Sequence, residues 1–219
     1  MPRAREAVAE ALGVDLTPLL VRSVVATLPS IADQEVEALD VVSGYELLRY
    51  AAAGVRIFAP TPPAELLELL HRRLTAGQPF RPTSRVLTVT SDADVVAAQD
   101  AAQKMVRGLL KPSDCIRAVT AVSELARNIY LYAKTGDVRL QVSEADLTLT
   151  FQVIASDRGP GIQRLDEILS GAYRSKTGLG RGLAGAKALL DTLDIQTGPQ
   201  GTTIRGTKTA RLSDIARNA

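Results

Sequence analysis

A chain of 219 residues with 46% hydrophobic and 23% charged residues has ordinary globular composition, which excludes a disordered or collagen-like polymer. Aromatics make up only 4% and Trp is absent, so the core is aliphatic and a base-stacking surface for single-stranded nucleic acid is excluded. With 26 basic against 24 acidic residues the charge is too even for a dedicated nucleic-acid binder, and a single cysteine, Cys115, excludes both a disulfide framework and a cysteine-built zinc site.

Residues 1–80 read as a small all-helical domain with its linker. Helical spacing of apolar residues runs over Leu16–Leu28 and Glu35–Tyr50. A third helix, Glu65–Leu74, carries Leu66, Leu67, Leu69, Leu70 and Leu74, which mark a core-facing stripe, and Pro62-Pro63 suits its first turn. Gly54-Val-Arg-Ile-Phe58 reads as a short extended piece. Two prolines and a glycine in residues 77–84 place the linker there. No apolar run approaches the ~18–20 residues of a membrane span. The amino-terminal Met-Pro-Arg-Ala-Arg-Glu leads into no signal-type segment, so the expected location is the cytoplasm.

Residues 81–219 read as a second domain that alternates strands and helices. Arg85–Thr90 alternates like a half-buried strand, and Ala93–Leu110 is an Ala-rich helix. Pro112-Ser113 opens a helix expected to reach Ala133. Val138–Val142 and Leu147–Ile154 are strands joined at Glu144-Ala145-Asp146. Leu183–Leu193 is a helix, and Ile195–Thr197 and Thr203–Thr209 form a last hairpin around Gly-Pro-Gln-Gly. The expected class is α/β (α+β), a two-layer sandwich of helices on a mixed, largely antiparallel sheet. Residues 1–80 hold 7 basic and 10 acidic residues, and residues 83–219 hold 18 and 14, so the second domain is the better home for an anion.

Four constellations there could carry chemistry. Glu124 and Asn128 share one helix face, where an acid and an amide offer oxygen ligands to Mg²⁺ or a proton acceptor. On spacing alone an intrahelical contact on a solvated face is the commoner meaning of such a pair. Ser156-Asp157-Arg158-Gly159-Pro160-Gly161-Ile162 follows an apolar strand, so a carboxylate at a strand end meets glycines that admit close approach, or it is simply a turn. Gly178-Leu179-Gly180-Arg181-Gly182-Leu183 leads into a helix and offers backbone N–H groups to anions, but lacks the Lys-Ser/Thr of a P-loop. Gly201-Thr202-Thr203 precedes the final strand and places a hydroxyl near a bound base, or begins the strand as β-branched residues do.

In this order the motifs resemble the ATP-binding (Bergerat-type) domain of the GHKL superfamily over about residues 84–212. Glu124/Asn128 is similar to its N box, Asp157, Gly159 and Gly161 to its first glycine box, and Gly178, Gly180 and Gly182 to its second. Ser-Glu-Leu-Ala-Arg-Asn-Ile-Tyr (123–130) and Asp-Arg-Gly-Pro-Gly-Ile (157–162) are most similar to RsbT-type serine/threonine switch kinases, relatives of the RsbW anti-sigma kinases. RsbT-type chains are about as long as residues 84–219, so residues 1–76 depart from that pattern.

The resemblance implies ATP and Mg²⁺ as cofactors. It implies Glu124 as general base toward an acceptor serine, Asn128 as Mg²⁺ ligand, and Asp157 as acceptor of the adenine amino group. Gly159 and Gly161 would shape the base pocket, and Gly178, Gly180, Gly182 and Leu183 would line the phosphates. Thr203, with Thr202 as the weaker choice, would support the adenine side. Arg127, Arg174, Lys176 and Arg181 would contact phosphates or a partner. The short segment 163–177 would make a small lid that suits a protein substrate.

The implied partners are a STAS-domain protein, as substrate and scaffold, and a PP2C-type phosphatase or sigma factor. Neither nucleic acid nor membrane is implied, and a homodimer stays open. Two alternatives remain: an ATP-binding anti-sigma factor or regulatory binding module, and a histidine kinase using His71, which Arg72-Arg73 in place of an acidic neighbour disfavours. Otherwise His71 is expected as an exposed helix residue and Cys115 as a helix-packing residue. Residues 1–76 would serve dimerisation, docking or sensing.

Overall fold

The computed structural model describes residues 2–14, 16–57, 63–169 and 181–212. Apolar residues at helical spacing build four helices before Phe80: α1 (Ala4–Gly13), α2 (Pro18–Ala26), α3 (Val41–Arg56) and α4 (Pro63–Thr75). The expected helix over 35–50 is broken. A 3₁₀ turn, Val36–Ala38, comes first, and the Asp40 carboxylate then accepts from Ser43 N at 2.9 Å, which starts α3 afresh. The extended reading of Gly54–Phe58 is wrong for its described part. Gly54 to Arg56 are helical, and a Cβ on Gly54 would come 2.9 Å from Val24 Cγ1, so α3 buries that stretch against α2. Phe58 lies outside the described residues. In α4, Leu66, Leu67, Leu70 and Leu74 are buried as the stripe predicts.

The expected linker is tied down along its length. Ala76 and Gly77, at φ 52 and 80, end α4. Phe80 then turns its ring onto Gly44, where a Cβ would sit 2.5 Å from the ring, and its N–H donates to Glu144 Oε2 at 3.2 Å. Arg81 O accepts from Val41 N at 2.7 Å, and strand β1 (Thr83–Val89) begins inside the stretch read as linker.

From β1 the chain forms α5 (Asp92–Val106), capped by Ser91, and α6 (Pro112–Asn128), which widens into a π-turn over Ile129–Ala133. Strands β2 (Gly136–Ala145) and β3 (Thr148–Asp157), short α7 (Leu165–Leu169), α8 (Arg181–Leu189), β4 (Thr192–Gly198) and β5 (Gly201–Arg211) follow. Spatial order is β1-β2-β3-β5-β4, and all the pairings of these strands are antiparallel, so the largely antiparallel sheet expected is antiparallel throughout its described strands.

The β2–β3 register stacks Val138, Leu140 and Val142 beside Ala155, Val153 and Phe151, all buried under the helices. Arg139, Gln141, Gln152 and Thr207 face the other way, which gives two layers. Helix α8 stops at Leu189, short of the expected Leu193. Asp191, just beyond it, accepts from Thr209 N at 2.8 Å and pairs with Lys208 Nζ at 2.5 Å, turning the chain into β4. One continuous apolar core runs through the amino-terminal helices and the sheet layer.

Candidate functional site

Leu125, Ala126 and Val122 anchor α6 to the core, so Glu124 and Asn128, four residues apart, emerge half-buried on the face toward α8. Helix α8 begins directly over them. A Cβ on Gly182 would stand 2.5 Å from Glu124 Oε2 and 3.6 Å from Asn128 Oδ1, so a side chain there would push the Glu124 carboxylate out of its place under the first turn of α8. Helix N-termini favour negative charge, so this end of α8 and the acid–amide pair together face one spot.

Asp157 ends β3. Its Oδ1 accepts from Gly159 N at 2.7 Å, an Asx turn that folds the glycine loop back on itself. The loop is seated on two sides. A Cβ on Gly159 would touch Ala133 of the π-turn at 2.8 Å, and Gly161, at φ 78, has no room for a Cβ beside the backbone of Gly198. Ile162 N donates to Thr197 Oγ1 at 2.7 Å, and Thr197 Oγ1 lies 3.0 Å from Thr202 Oγ1. The β4–β5 hairpin therefore holds the loop through Thr197.

These elements enclose a cavity of about 340 Å³. Leu125, Ile129, Ala155, Ile162, Leu183 and Ile204 supply apolar walls, and Asn128, Asp157 and Thr202, with Tyr132, Gln163 and Arg164, supply polar groups. Mostly apolar walls with a few fixed polar groups suit a flat heteroaromatic ligand whose orientation is set by hydrogen bonds. Asp157 presents a carboxylate to the cavity, an acceptor of the kind an exocyclic amine would meet, and Asn128 lies toward the Glu124 side, where anionic groups would meet the α8 N-terminus.

Thr203, the preferred hydroxyl in the sequence reading, is displaced from this site. It pairs with Ser156, and its Oγ1 lies 3.3 Å from Ser156 Oγ on the opposite face of the sheet. Thr202, paired with Asp157, is buried and lines the cavity. A one-residue shift along a strand exchanges faces, so choosing between adjacent threonines requires the register. Arg127 is exposed on α6 and is not among the cavity-lining residues. Gly178, Gly180, Arg174 and Lys176 lie outside the described residues, as does the side chain of Arg181.

Tyr132, Arg164 and Thr197 were not singled out by sequence. The π-turn brings Tyr132 to the wall, and its residues Ile129-Tyr-Leu-Tyr-Ala133 carry no local mark distinguishing them from an ordinary helix end. Only the Thr197↔Thr202 pairing, a hairpin register, could have pointed to Thr197. No group of three or more metal-ligating His, Cys, Asp or Glu side chains occurs among the described residues.

His71 is buried, not exposed. It is only 1% accessible, with Nε2 2.8 Å from Glu144 Oε1 but off the line of a good hydrogen bond. Its ring lies 5.3 Å from that of Phe80 and 6.0 Å from that of Tyr45. An acceptor imidazole must reach a γ-phosphate, and this one is sealed in the core. Burial, with the Glu144 charge adding to it, pushes the Tyr45 hydroxyl well above the usual phenol range. Cys115 is buried, donating weakly to Val106 O and Leu110 O, and burial raises its thiol pKa. It packs and does no chemistry.

Residues 88–208 match the family described as the histidine kinase-like ATPase domain. The chain is 34% identical over 125 residues to the serine/threonine-protein kinase RsbT of Bacillus subtilis (strain 168), covering 94% of that protein and 56% of this chain. Among solved structures it is similar to the RsbU and RsbW domains of Rv1364c from Mycobacterium tuberculosis (TM-score 0.43, 21% identity, 78% of this chain and 44% of that one). It is also similar to the blue-light activated histidine kinase domain of Erythrobacter litoralis EL346 (TM-score 0.35, 14% identity, 98% of this chain and 96% of that one).

Proposed function

The chain belongs to the histidine kinase-like ATPase family, and on that footing we propose that it is an RsbT-like serine/threonine protein kinase of a bacterial partner-switching pathway. Its substrate in this reading is a STAS-domain antagonist, and its phosphoryl donor is ATP. The observation that carries the reading is the convergence of Asn128, Asp157 and Thr202 on one cavity, with Glu124 and the start of α8 meeting beside Asn128.

The residues present fit ATP with Mg²⁺. The apolar cavity accepts adenine, with Asp157 taking the amino group and Thr202 beside it. Gly182 leaves space over Glu124 and Asn128 that a Cβ would fill. Asn128 would hold Mg²⁺, which when bound supplies charge neutralisation on the phosphates. Phosphoryl transfer demands positioning and charge balance more than covalent chemistry, so this chain's part is to orient the donor and to poise a base. Glu124 is that base, receiving the proton of the acceptor hydroxyl. The partners of such a pathway, a scaffold carrying STAS domains and a PP2C-type phosphatase activated by docking, complete the proposal, with a soluble cytoplasmic setting. No helix among the described residues is long and apolar enough to cross a membrane.

The test uses the full chain, γ-labelled ATP, Mg²⁺ and a purified STAS-domain protein. Wild type is expected to label the STAS protein with acid-stable phosphate. Glu124→Ala is expected to keep ATP binding and lose transfer. A wild type that binds ATP and labels no STAS protein would leave a nucleotide-gated binding module as the function instead.

A further inference from the structure

The amino-terminal helices and the ATPase layer meet along a groove that has no part in the nucleotide cavity. Two adjoining hollows, of about 550 Å³ and 340 Å³, share Arg49 and Arg107 in their walls. Helix α3 forms one wall with Val42, Glu46, Arg49 and Tyr50, and the end of α5 with the turn before α6 forms the other. The α3 wall lies outside residues 88–208, so the groove belongs to this chain's added segment as much as to its ATPase domain.

The charges in it are unbalanced. Arg49, Lys104 and Arg107 line it against one carboxylate, Glu46. Among the described residues none of these three cationic side chains makes a hydrogen bond or an ion pair. By contrast Arg5 finds Asp33 at 2.8 Å, Lys111 finds Asp114 at 3.3 Å, and Lys208 finds Asp191 at 2.5 Å. Arg49 is half-buried, and its guanidinium rests on Gly108, where a Cβ would run into Nη1. Gly108 has φ 77, so both its backbone and its missing side chain shape that seat. A partly desolvated cation without a counter-charge is costly to hold, and an incoming anion offsets that cost.

Apolar surface flanks the cations. Tyr50 is 47% exposed and Ile116 67% exposed at the rims. Arginine and tyrosine around an apolar floor are the residue types that anchor protein interfaces, and the run of two joined hollows is longer than one small anion needs. From the charge complementarity and this shape we infer that the groove docks an acidic, partly apolar segment of a partner protein. The inference does not depend on the kinase reading, because its readout is binding and not phosphate transfer.

The test measures fluorescence anisotropy of a fluorescein-labelled decapeptide of alternating glutamate and leucine, titrated with the full chain at low salt. Binding is expected, and it should weaken as salt rises. Arg49→Glu with Arg107→Glu should weaken it about 10-fold or more. Gly108→Ala should weaken it less, by displacing Arg49. Arg139→Glu with Arg205→Glu, on the open sheet face, should change it less than about 2-fold, since scattered surface charge contributes little. ATP binding retained in the groove variants shows that they are folded. The inference is overturned by absence of peptide binding, by equal loss in the sheet-face control, or by inorganic phosphate displacing the peptide at equimolar levels, which would mark a small-anion site.

Discussion

The helical region before Phe80 and the ATPase layer after it use their polar residues in opposite ways. In the ATPase layer they converge on open space. Asn128, Asp157 and Thr202 line the cavity with Glu124 close by Asn128, and glycines at 159, 161 and 182 let the surrounding segments pack closely. In the helical region the most buried polar group, His71, points away from solvent into Glu144 of β2, walled by Tyr45 and Phe80. One set of polar groups waits for a ligand, and the other fastens two parts of the chain together. The contrast teaches that a histidine beside an ATPase domain is not evidence of phosphorelay until its exposure is known.

The sharpest way to break that contrast is to remove the base. Glu124→Ala should lower phosphate transfer by about 10²–10⁴-fold, the usual worth of a positioned general base, with ATP affinity nearly unchanged. Parallel loss of ATP binding would make Glu124 a structural residue. The next largest effect tests the fastening role. Glu144→Ala takes the carboxylate away from the Phe80 N–H and from the buried His71 and should cost about 1–3 kcal/mol in denaturant unfolding, the range for leaving a buried polar group unsatisfied. A change below ~0.5 kcal/mol, typical of a surface substitution, would mean the pair fastens nothing.

Lys208→Met should cost about 2 kcal/mol, less than a fully enclosed pair because Asp191 is partly exposed. Burial alone would pull Lys208 down and push Asp191 up, but their mutual hydrogen bond and attraction, helped by Asp114 at 3.2 Å from Lys208 Nζ and by Thr209 donating to Asp191, outweigh it, so Lys208 is raised and Asp191 lowered. A lowered carboxylate stabilises above its unfolded pKa of 3.8 and loses that contribution as pH falls through the folded value. The stability gap between wild type and Lys208→Met should therefore narrow below pH ~4. An unchanged gap would show that the pair is not the source.

The smallest effect separates neighbours. Thr202→Val should weaken ATP binding by about 5–10-fold, the loss of one hydrogen bond in the cavity, while Thr203→Val should change it less than 2-fold. Equal effects in titration calorimetry would undo the assignment of faces.

That last pair shows where sequence stopped being legible. The glycine boxes and the Glu124/Asn128 spacing are local patterns, and they led to the ATPase layer, its hairpins, and Asn128, Asp157, Gly161 and Leu183 of the candidate cavity. Thr202 over Thr203 depended on β5 register against β3, and Thr197 on the β4–β5 pairing, both set by strands brought together from afar. The helical region hid more. Gly44 under Phe80, Gly54 under Val24 and His71 against Glu144 are long-range contacts with no local signature, so a buried histidine read as an exposed one and a helical glycine as a strand. The expected separation into 1–80 and 81–219 remains a proposal, and the Phe80–Glu144 hydrogen bond across it is the contact that would resist it.

The most direct single measurement is the site of phosphate after the full chain is incubated with γ-labelled ATP, Mg²⁺ and a STAS-domain protein, read by acid stability and mass spectrometry. Acid-stable phosphate on a serine or threonine of the STAS protein, with none on His71, is the predicted result. Acid-labile phosphate on His71, lost in His71→Ala, would contradict both the kinase reading and the buried fastening role of that histidine.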